Sequence, residues 1–204
     1  AKIKNNALPF HLYLIDTKEI AVDELLIYIR TQVEKAAEKN IVFLRNLYKS
    51  RQEVVENHEI VENFVATVCS MLRPATEYSA AKNSSLVFEA ILEDEKIKIA
   101  AFQQLKSFCA PDTYFFTNTS SIPIQTIDQG AQLEGRIIGY HFYNPPAVQK
   151  LLEIIISENT RPELQTVAKE LAVQLGKKVV SAHDIAGFIG NGHFIREGIY
   201  YMEE

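Results

Sequence analysis

This chain of 204 residues has little cysteine and no excess of basic charge. Its two cysteines, Cys69 and Cys109, do not form a Cys-x-x-Cys pair, so we expect free thiols, no disulfide framework and no metal site. The net charge of -5 offers no basic surface, so no nucleic-acid partner is expected. Because free thiols are typical of a reducing compartment, the default location is cytoplasmic.

Long apolar runs are missing as well. No run reaches the roughly 18 residues of a membrane span, and the chain does not open with a signal-peptide pattern, so no membrane partner is expected. The 47% of hydrophobic and 23% of charged residues are typical of a globular protein. The length suits one domain, or one domain with the beginning of a second.

Short apolar runs alternate with helical patterns along most of the chain. Strands are predicted at 10–15, 72–76, 86–92, 114–117, 136–142, 151–156 and 178–182. Helices are predicted at 22–39, 94–109, 122–129 and 162–175, the last of them closed by Gly176, and a broken helical region at 41–70. Strands that alternate with helices indicate a mainly parallel α/β sheet.

The stretch from Ile137 to Ile156 places a histidine at the end of one apolar run and a carboxylate inside the next. An ionised Glu153 within a buried strand needs a partner, because an unpaired buried charge is strongly destabilising. A turn after Asn144 would reverse the chain and bring His141 beside it. A buried carboxylate that holds an imidazole forms a general base.

A structural role for His141 is the alternative. Histidines near strand ends are often satisfied by backbone groups, and many buried ion pairs have no catalytic role. These two residues alone leave both interpretations open.

Four short motifs occur in one order along the chain: NTSS at 118–121, HFYNP at 141–145, LLEI at 151–154 and D-x-x-G-F-x-x-N at 184–191. Together they resemble the L-3-hydroxyacyl-CoA dehydrogenase family, which includes the dehydrogenase parts of multifunctional fatty-acid oxidation enzymes. The resemblance runs from about Phe10 to the end of the chain. It implies a Rossmann-like, doubly wound, mainly parallel α/β sheet.

The resemblance implies a catalytic site of four residues: Ser120, His141, Glu153 and Asn191. His141 would take the proton of a 3-hydroxyl, and Glu153 would fix its tautomer. Ser120 would bind the substrate oxygen, and Asn191 would hold the thioester end or the His141 network. The alternative for Ser120 is a helix N-cap before the helix at 122–129, a role that Ser121 is also free to take.

The resemblance also implies NAD as the cofactor. Asp16 matches the acid that binds the adenosine ribose and favours NAD over NADP, although an N-cap for the next helix is an equal alternative. Glu93, Lys98 and Asn144 match further cofactor-binding positions. Lys39 matches a lysine that contacts the phosphates of CoA, but it also fits a solvated helix surface.

The chain departs from the family pattern at three places. Ala186 and Gly192 replace the usual proline and arginine, which predicts a looser turn and a weaker helix start around Asn191. No G-x-G-x-x-G loop is found, and residues 1–8 resemble the end of the helix that follows such a loop. We therefore expect a domain at 1–184 that lacks its first strand, and at 185–204 the start of an all-α C-terminal domain.

The expected function is NAD-dependent oxidation of L-3-hydroxyacyl-CoA in fatty-acid β-oxidation. The expected partner is an acyl-CoA substrate, and the full-length protein is expected to be a homodimer or part of a multifunctional polypeptide. Two alternatives stay open: a non-catalytic remnant or interaction module with the same fold, and a relative that acts on free hydroxy acids or diketones.

Overall fold

A computed structural model describes residues 11–51 and 56–192 of the chain. The chain forms two compact units, one up to Ala80 and one from Ala81 onward. Two predicted features lie outside the described ranges. They are the helix end at residues 1–8 and residues 193–204 of the C-terminal segment that was predicted at 185–204. In the described part of the chain, no helix combines the length and the apolar character that a membrane crossing needs.

The N-terminal unit consists of a small parallel sheet and three helices. The elements are β1 (Leu12–Ile15), α1 (Glu19–Lys39), α2 (Ile41–Tyr48), α3 (Asn57–Cys69) and β2 (Leu72–Ala75). β1 and β2 pair in parallel. A buried cluster of Ala37, Leu44, Tyr48 and Ile60 joins the three helices, so the broken helical pattern at 41–70 corresponds to two packed helices.

The second unit is a five-stranded sheet with helices between its strands. After a short 3₁₀ helix (Tyr78–Ala81), its elements are β3 (Leu86–Glu89), α4 (Glu95–Phe108), β4 (Tyr114–Thr117), α5 (Ile124–Ala131), β5 (Ile137–Phe142), β6 (Leu151–Ile156), α6 (Pro162–Gln174) and β7 (Lys178–His183). The strands follow the order β3-β4-β5-β6-β7. All neighbours pair in parallel except β5 and β6, so the mainly parallel sheet is confirmed.

The core of this unit lies between the sheet and α6. Phe116, Ile138, Tyr140, Leu152 and Ile154 on the strands pack with Leu164, Ala168 and Ala172 on α6. The alanines let α6 approach the strands closely. Burial on both faces of β5 and β6 explains why both read as continuous apolar runs.

The predicted strand at 86–92 was too long. β3 ends at Glu89, whose carboxylate accepts a hydrogen bond from the N–H of Ile91 at 2.7 Å and turns the chain out of the sheet. Leu92 is 69% exposed, so its apolar character does not mark a buried strand. The domain boundary predicted at residue 184 is not decided by the division at Ala80 and stays a prediction.

Candidate active site

The centre of the site is a pair of side chains on antiparallel strands. His141 on β5 lies opposite Glu153 on β6, and its Nδ1 is 2.6 Å from Oε2 of that carboxylate. The two side chains are 11% and 1% exposed. The contact predicted from the burial of Glu153 is therefore confirmed. With Nδ1–H donating to the carboxylate, the ring presents Nε2 as a proton acceptor.

The other oxygen of Glu153 is held by the segment that follows β7. Its Oε1 accepts hydrogen bonds from the N–H groups of Ile189 and Gly190 at 3.2 and 3.0 Å. Phe188 in the same segment is buried, and its ring centroid lies 6.2 Å from that of His141. Its φ of 52° is a strained left-handed conformation for a bulky residue. This segment thus fixes the carboxylate that fixes the histidine.

Asn191 ties the same segment to the loop after β4. Its Nδ2 donates to the carbonyl oxygen of Ser120 at 3.0 Å, and the N–H of Gly187 donates to the carbonyl of Ser121 at 3.2 Å. The turn closes through a bond from the N–H of Phe188 to the carbonyl of Ile185 at 2.9 Å, even though Ala186 replaces proline.

Ser120 lies in a loop organised by Glu93. Oε1 of Glu93 accepts hydrogen bonds from the N–H groups of Ser120 and Ser121 at 2.7 and 3.0 Å and from the hydroxyl of Thr119 at 2.7 Å. The Ser120 and Ser121 hydroxyls each lie 3.1 Å from the same oxygen. Burial alone would raise the pKa of Glu93, but the bonds from Thr119 and Ser120 and the charge of Lys98 lower it to about 2. Glu93 is therefore an ionised anchor of the serine loop.

Lys98 connects Glu93 to a second, buried carboxylate. Its Nζ lies 2.7 Å from Glu89 and 3.3 Å from Glu93, and its side chain is 1% exposed. Glu89 also accepts a hydrogen bond of 2.6 Å from the hydroxyl of Thr117 on β4. The lysine therefore lies beneath the loop and joins the ends of β3 and β4 to α4.

The helix caps that were left open as alternatives for Ser120 or Ser121 and for Asp16 are not formed. α5 begins at Ile124, and neither Ser120 nor Ser121 caps it; Asp184 accepts from the N–H groups of Ile124 and Gln125 at 2.6 and 2.7 Å. Ile122, where the helix was predicted to begin, stands directly before Pro123, and a residue before proline disfavours the helical conformation, so the helix begins later. The N-cap position of α1 is Lys18 rather than Asp16, whose Oδ1 accepts from the Lys18 N–H at 2.9 Å.

The remaining predicted residues are exposed. Asp16 follows β1 and presents an exposed carboxylate at the carboxyl end of a parallel strand. Carboxylate oxygens accept hydrogen bonds from a ribose diol, so this group fits the adenosine half of NAD. Asn144 is exposed after β5, and Lys39 is exposed at the end of α1. Their binding roles stay predictions.

Three functional neighbours were missed from the sequence. Glu89, inside the run LVFEAIL, carries the same signal that revealed Glu153, namely an acid in an apolar strand. Asp184 stood in a recognised motif without a role. Tyr143 is part of the motif HFYNP but was given no role, and its ring centroid lies 5.1 Å from that of His141.

Together, the sheet and the held histidine define a class of protein: an α/β fold with a general-base pair at its antiparallel strands. Comparison with known proteins specifies the class further. The model of the family described as "3-hydroxyacyl-CoA dehydrogenase, NAD binding domain" matches residues 10–185. The chain belongs to this family, whose domain binds NAD.

Curated relatives agree. The chain is 33% identical over 164 residues to a probable 3-hydroxybutyryl-CoA dehydrogenase of Bacillus subtilis. The aligned region covers 79% of this chain and 57% of that protein. It is 35% identical over 143 residues to the mitochondrial hydroxyacyl-coenzyme A dehydrogenase of Rattus norvegicus. Here the aligned region covers 70% of this chain and 46% of that protein. The chain thus spans about half the length of these relatives.

A solved structure supports the fold. The crystal structure of FadB2 from M. tuberculosis superposes with a TM-score of 0.68 at 26% identity, covering 94% of this chain and 62% of that one. The Rossmann-like fold predicted from the motifs is therefore confirmed.

Proposed function

We propose that the full-length protein is an NAD-dependent dehydrogenase that oxidises the 3-hydroxyl of L-3-hydroxyacyl-CoA thioesters to a ketone. The observation that carries this proposal is the buried 2.6 Å contact between His141 Nδ1 and Glu153 Oε2. The family match and the names of the relatives, among them 3-hydroxybutyryl-CoA dehydrogenase, support the substrate class.

The histidine supplies the proton transfer. An alcohol can release hydride from carbon only as its hydroxyl proton leaves, so a base must take that proton. Nε2 of His141 accepts it, and the ring becomes positively charged. Glu153 stabilises the imidazolium and keeps Nδ1 protonated, so that Nε2 stays the accepting atom. NAD, when bound, supplies the acceptor for the hydride.

Ser120 and Asn191 position groups around this base. The Ser120 hydroxyl, now donating toward Glu93, is in the loop that would meet the substrate oxygen. Asn191 holds the carbonyl of Ser120 and so keeps this loop next to the segment that binds Glu153. Groups fixed before the reaction lower its barrier because they need no reorganisation when charge develops.

Cofactor contacts are proposed for Asp16 at the adenosine ribose and Asn144 near the nicotinamide. A carboxylate at Asp16 repels a 2′-phosphate and therefore favours NAD over NADP. Glu93 and Lys98 hold the serine loop, and through it they would shape the nicotinamide side of the site. Lys39 is proposed to contact CoA phosphates, because it is an exposed cation at a helix end.

The non-catalytic alternative is disfavoured by the site itself. A remnant that only kept its fold would not need Glu153, since an apolar residue of similar size packs in a buried strand without a charge. Yet both oxygens of Glu153 are engaged, one by His141 on β5 and the other by two N–H groups of the segment after β7.

The proposal is tested by turnover. The full-length protein should oxidise NADH in the presence of acetoacetyl-CoA and reduce NAD with 3-hydroxybutyryl-CoA, and it should prefer both to the matching free acids. Equal rates with free hydroxy acids or diketones would favour the alternative substrate class. No turnover with any of these, under conditions where NADH binds, contradicts the proposal.

Assembly, domain boundary and location are further proposals. We propose a homodimer or a multifunctional polypeptide, a cofactor domain that ends near residue 184 and a cytoplasmic location. A mitochondrial location is the alternative, because the rat relative is named as mitochondrial. Size measurement and fractionation of the native protein test these points.

A further inference from the structure

Tyr143 lies beside the catalytic pair, although no step of the proposed reaction uses it. It follows the end of β5, and its ring centroid is 5.1 Å from that of His141 with the two planes tilted by 44°. An apolar ring would pack there equally well. The hydroxyl therefore needs an explanation.

Gly190 leaves room for that hydroxyl. A Cβ added to this glycine would lie 2.3 Å from the Tyr143 hydroxyl oxygen and 3.2 Å from Cζ, far inside contact distance. The N–H of the same glycine donates to Oε1 of Glu153 at 3.0 Å. The tyrosine hydroxyl thus lies over a backbone group that binds the carboxylate.

The electrostatic surroundings agree with this position. Burial, the negative charge of Glu153 and a hydrogen bond to that carboxylate raise the pKa of Tyr143 to about 12. The phenol is therefore protonated at neutral pH and acts as a donor.

We infer that Tyr143 is a positioning residue for the proposed dehydrogenase reaction: its hydroxyl donates to Glu153 and thereby limits how strongly this carboxylate holds the proton of His141. The inference rests on the proposed function for its catalytic meaning, but the contact itself can be tested without turnover. It concerns the basicity of the site and not the binding of cofactor.

The titratable side chain beside the His141–Glu153 pair is that of Tyr143, which follows β5 and interacts with both members. The segment after β7 contributes the uncharged ring of Phe188 and two backbone N–H groups. A change at Tyr143 is therefore transmitted mainly through Glu153.

The direction of the effect follows from sharing one carboxylate. Each donor to Glu153 withdraws some of its negative charge from the other donors. Tyr143→Phe removes one donor, so the carboxylate should stabilise the imidazolium of His141 more strongly. The His141 ring of the variant should therefore keep its proton to higher pH than that of the wild type. The acid limb of kcat/KM should move in the same direction, with KM little changed.

The test is an NMR titration of the His141 ring in the full-length protein, compared between wild type and Tyr143→Phe. Tyr140→Phe is the matched control, because Tyr140 lies three residues earlier, on β5, and its hydroxyl donates to the carbonyl of Ala168 at 3.2 Å instead of to Glu153. The inference is supported if the titration midpoint moves to higher pH in Tyr143→Phe and stays at the wild-type value in Tyr140→Phe. An unchanged or lowered midpoint, or an equal shift in Tyr140→Phe, overturns it.

A double-mutant cycle with Gly190 checks the geometry. Gly190→Ala should push the hydroxyl away and shift the midpoint upward in wild type, but much less in Tyr143→Phe, where the clashing oxygen is gone. Equal shifts in the two backgrounds count against the inference. If turnover is absent while the midpoints behave as expected, the proposed function fails and the Tyr143 contact stands. If turnover is present and the midpoints do not move, only the inference on Tyr143 fails.

Discussion

The ammonium of Lys98 lies 2.7 Å from the carboxylate of Glu89, and the two side chains are only 1% and 2% exposed. This buried pair underlies the loop that carries Ser120, because Lys98 also lies 3.3 Å from Glu93. A buried ion pair contributes little net stability as a unit, but loss of one member leaves an uncompensated charge.

Lys98→Met should therefore lower the free energy of unfolding by about 3–5 kcal/mol, because Glu89 is left buried without its cation. The double variant with Glu89→Gln should lose less than the sum of the two single variants. Urea unfolding measures both. The control is Glu134→Gln at the exposed pair with Arg161, where the loss should stay below about 1 kcal/mol. Additive losses at Glu89 and Lys98 would show that they are not coupled.

Replacing the proposed base should abolish most turnover. His141→Gln is expected to lower kcat by about 10²–10⁴-fold while NADH still binds, because only proton transfer is lost. Steady-state rates and NADH fluorescence on the full-length protein separate the two effects. His183→Gln, on an exposed position of β7, is the matched control and should keep the wild-type rate. Full activity of His141→Gln would rule out the assigned base.

Glu93 predicts a pH dependence of stability. Its pKa is lower in the folded protein, about 2, than its ordinary value of 4.5. Its bonds to the serine loop therefore stabilise the fold fully above about pH 4.5, and this stability is lost as the pH falls toward about 2. Glu93→Gln should remove that part of the acid slope in denaturant unfolding, whereas Glu163→Gln at the start of α6 should leave it. A slope unchanged in Glu93→Gln would contradict the ionised anchor.

Asp184 tests the connection between the segment after β7 and α5. Asp184→Ala should cost about 0.5–2 kcal/mol, since two N–H groups at the start of α5 lose their acceptor. Asp184→Asn keeps one acceptor oxygen and should cost less. Thermal unfolding provides the comparison, with Asp112→Ala in the exposed turn before β4 as control. A loss in Asp184→Ala no larger than in Asp112→Ala would exclude the cap.

The sequence predicted those parts of the site that depend on local pattern and burial. The bounds of β4 and β6 were predicted correctly, because turn residues lie on both sides of each apolar run. The Glu153 contact followed because a buried acid needs a partner, and the same argument applied to Glu89 would have located the Lys98 pair. The role of Asp184 was beyond such reasoning, since it caps a helix 60 residues away and only tertiary structure brings the two together.

Backbone conformation around Gly187 determines whether the segment after β7 can hold Glu153. Gly187 has a φ of 81°, and a Cβ there would lie 2.9 Å from the backbone nitrogen of Gly192. Gly176 has a similar φ of 68°, but its Cβ would meet open space. Gly176→Ala should therefore cost only the left-handed conformation, about 1–2 kcal/mol, with kcat unchanged.

Gly187→Ala adds a clash with backbone that cannot rotate away, so the segment must shift. The N–H groups of Ile189 and Gly190 then move from Glu153, and kcat should fall together with stability. Measuring both quantities in both variants separates the two costs. If Gly187→Ala lost stability without any loss of kcat, the segment would support the fold but not the position of Glu153.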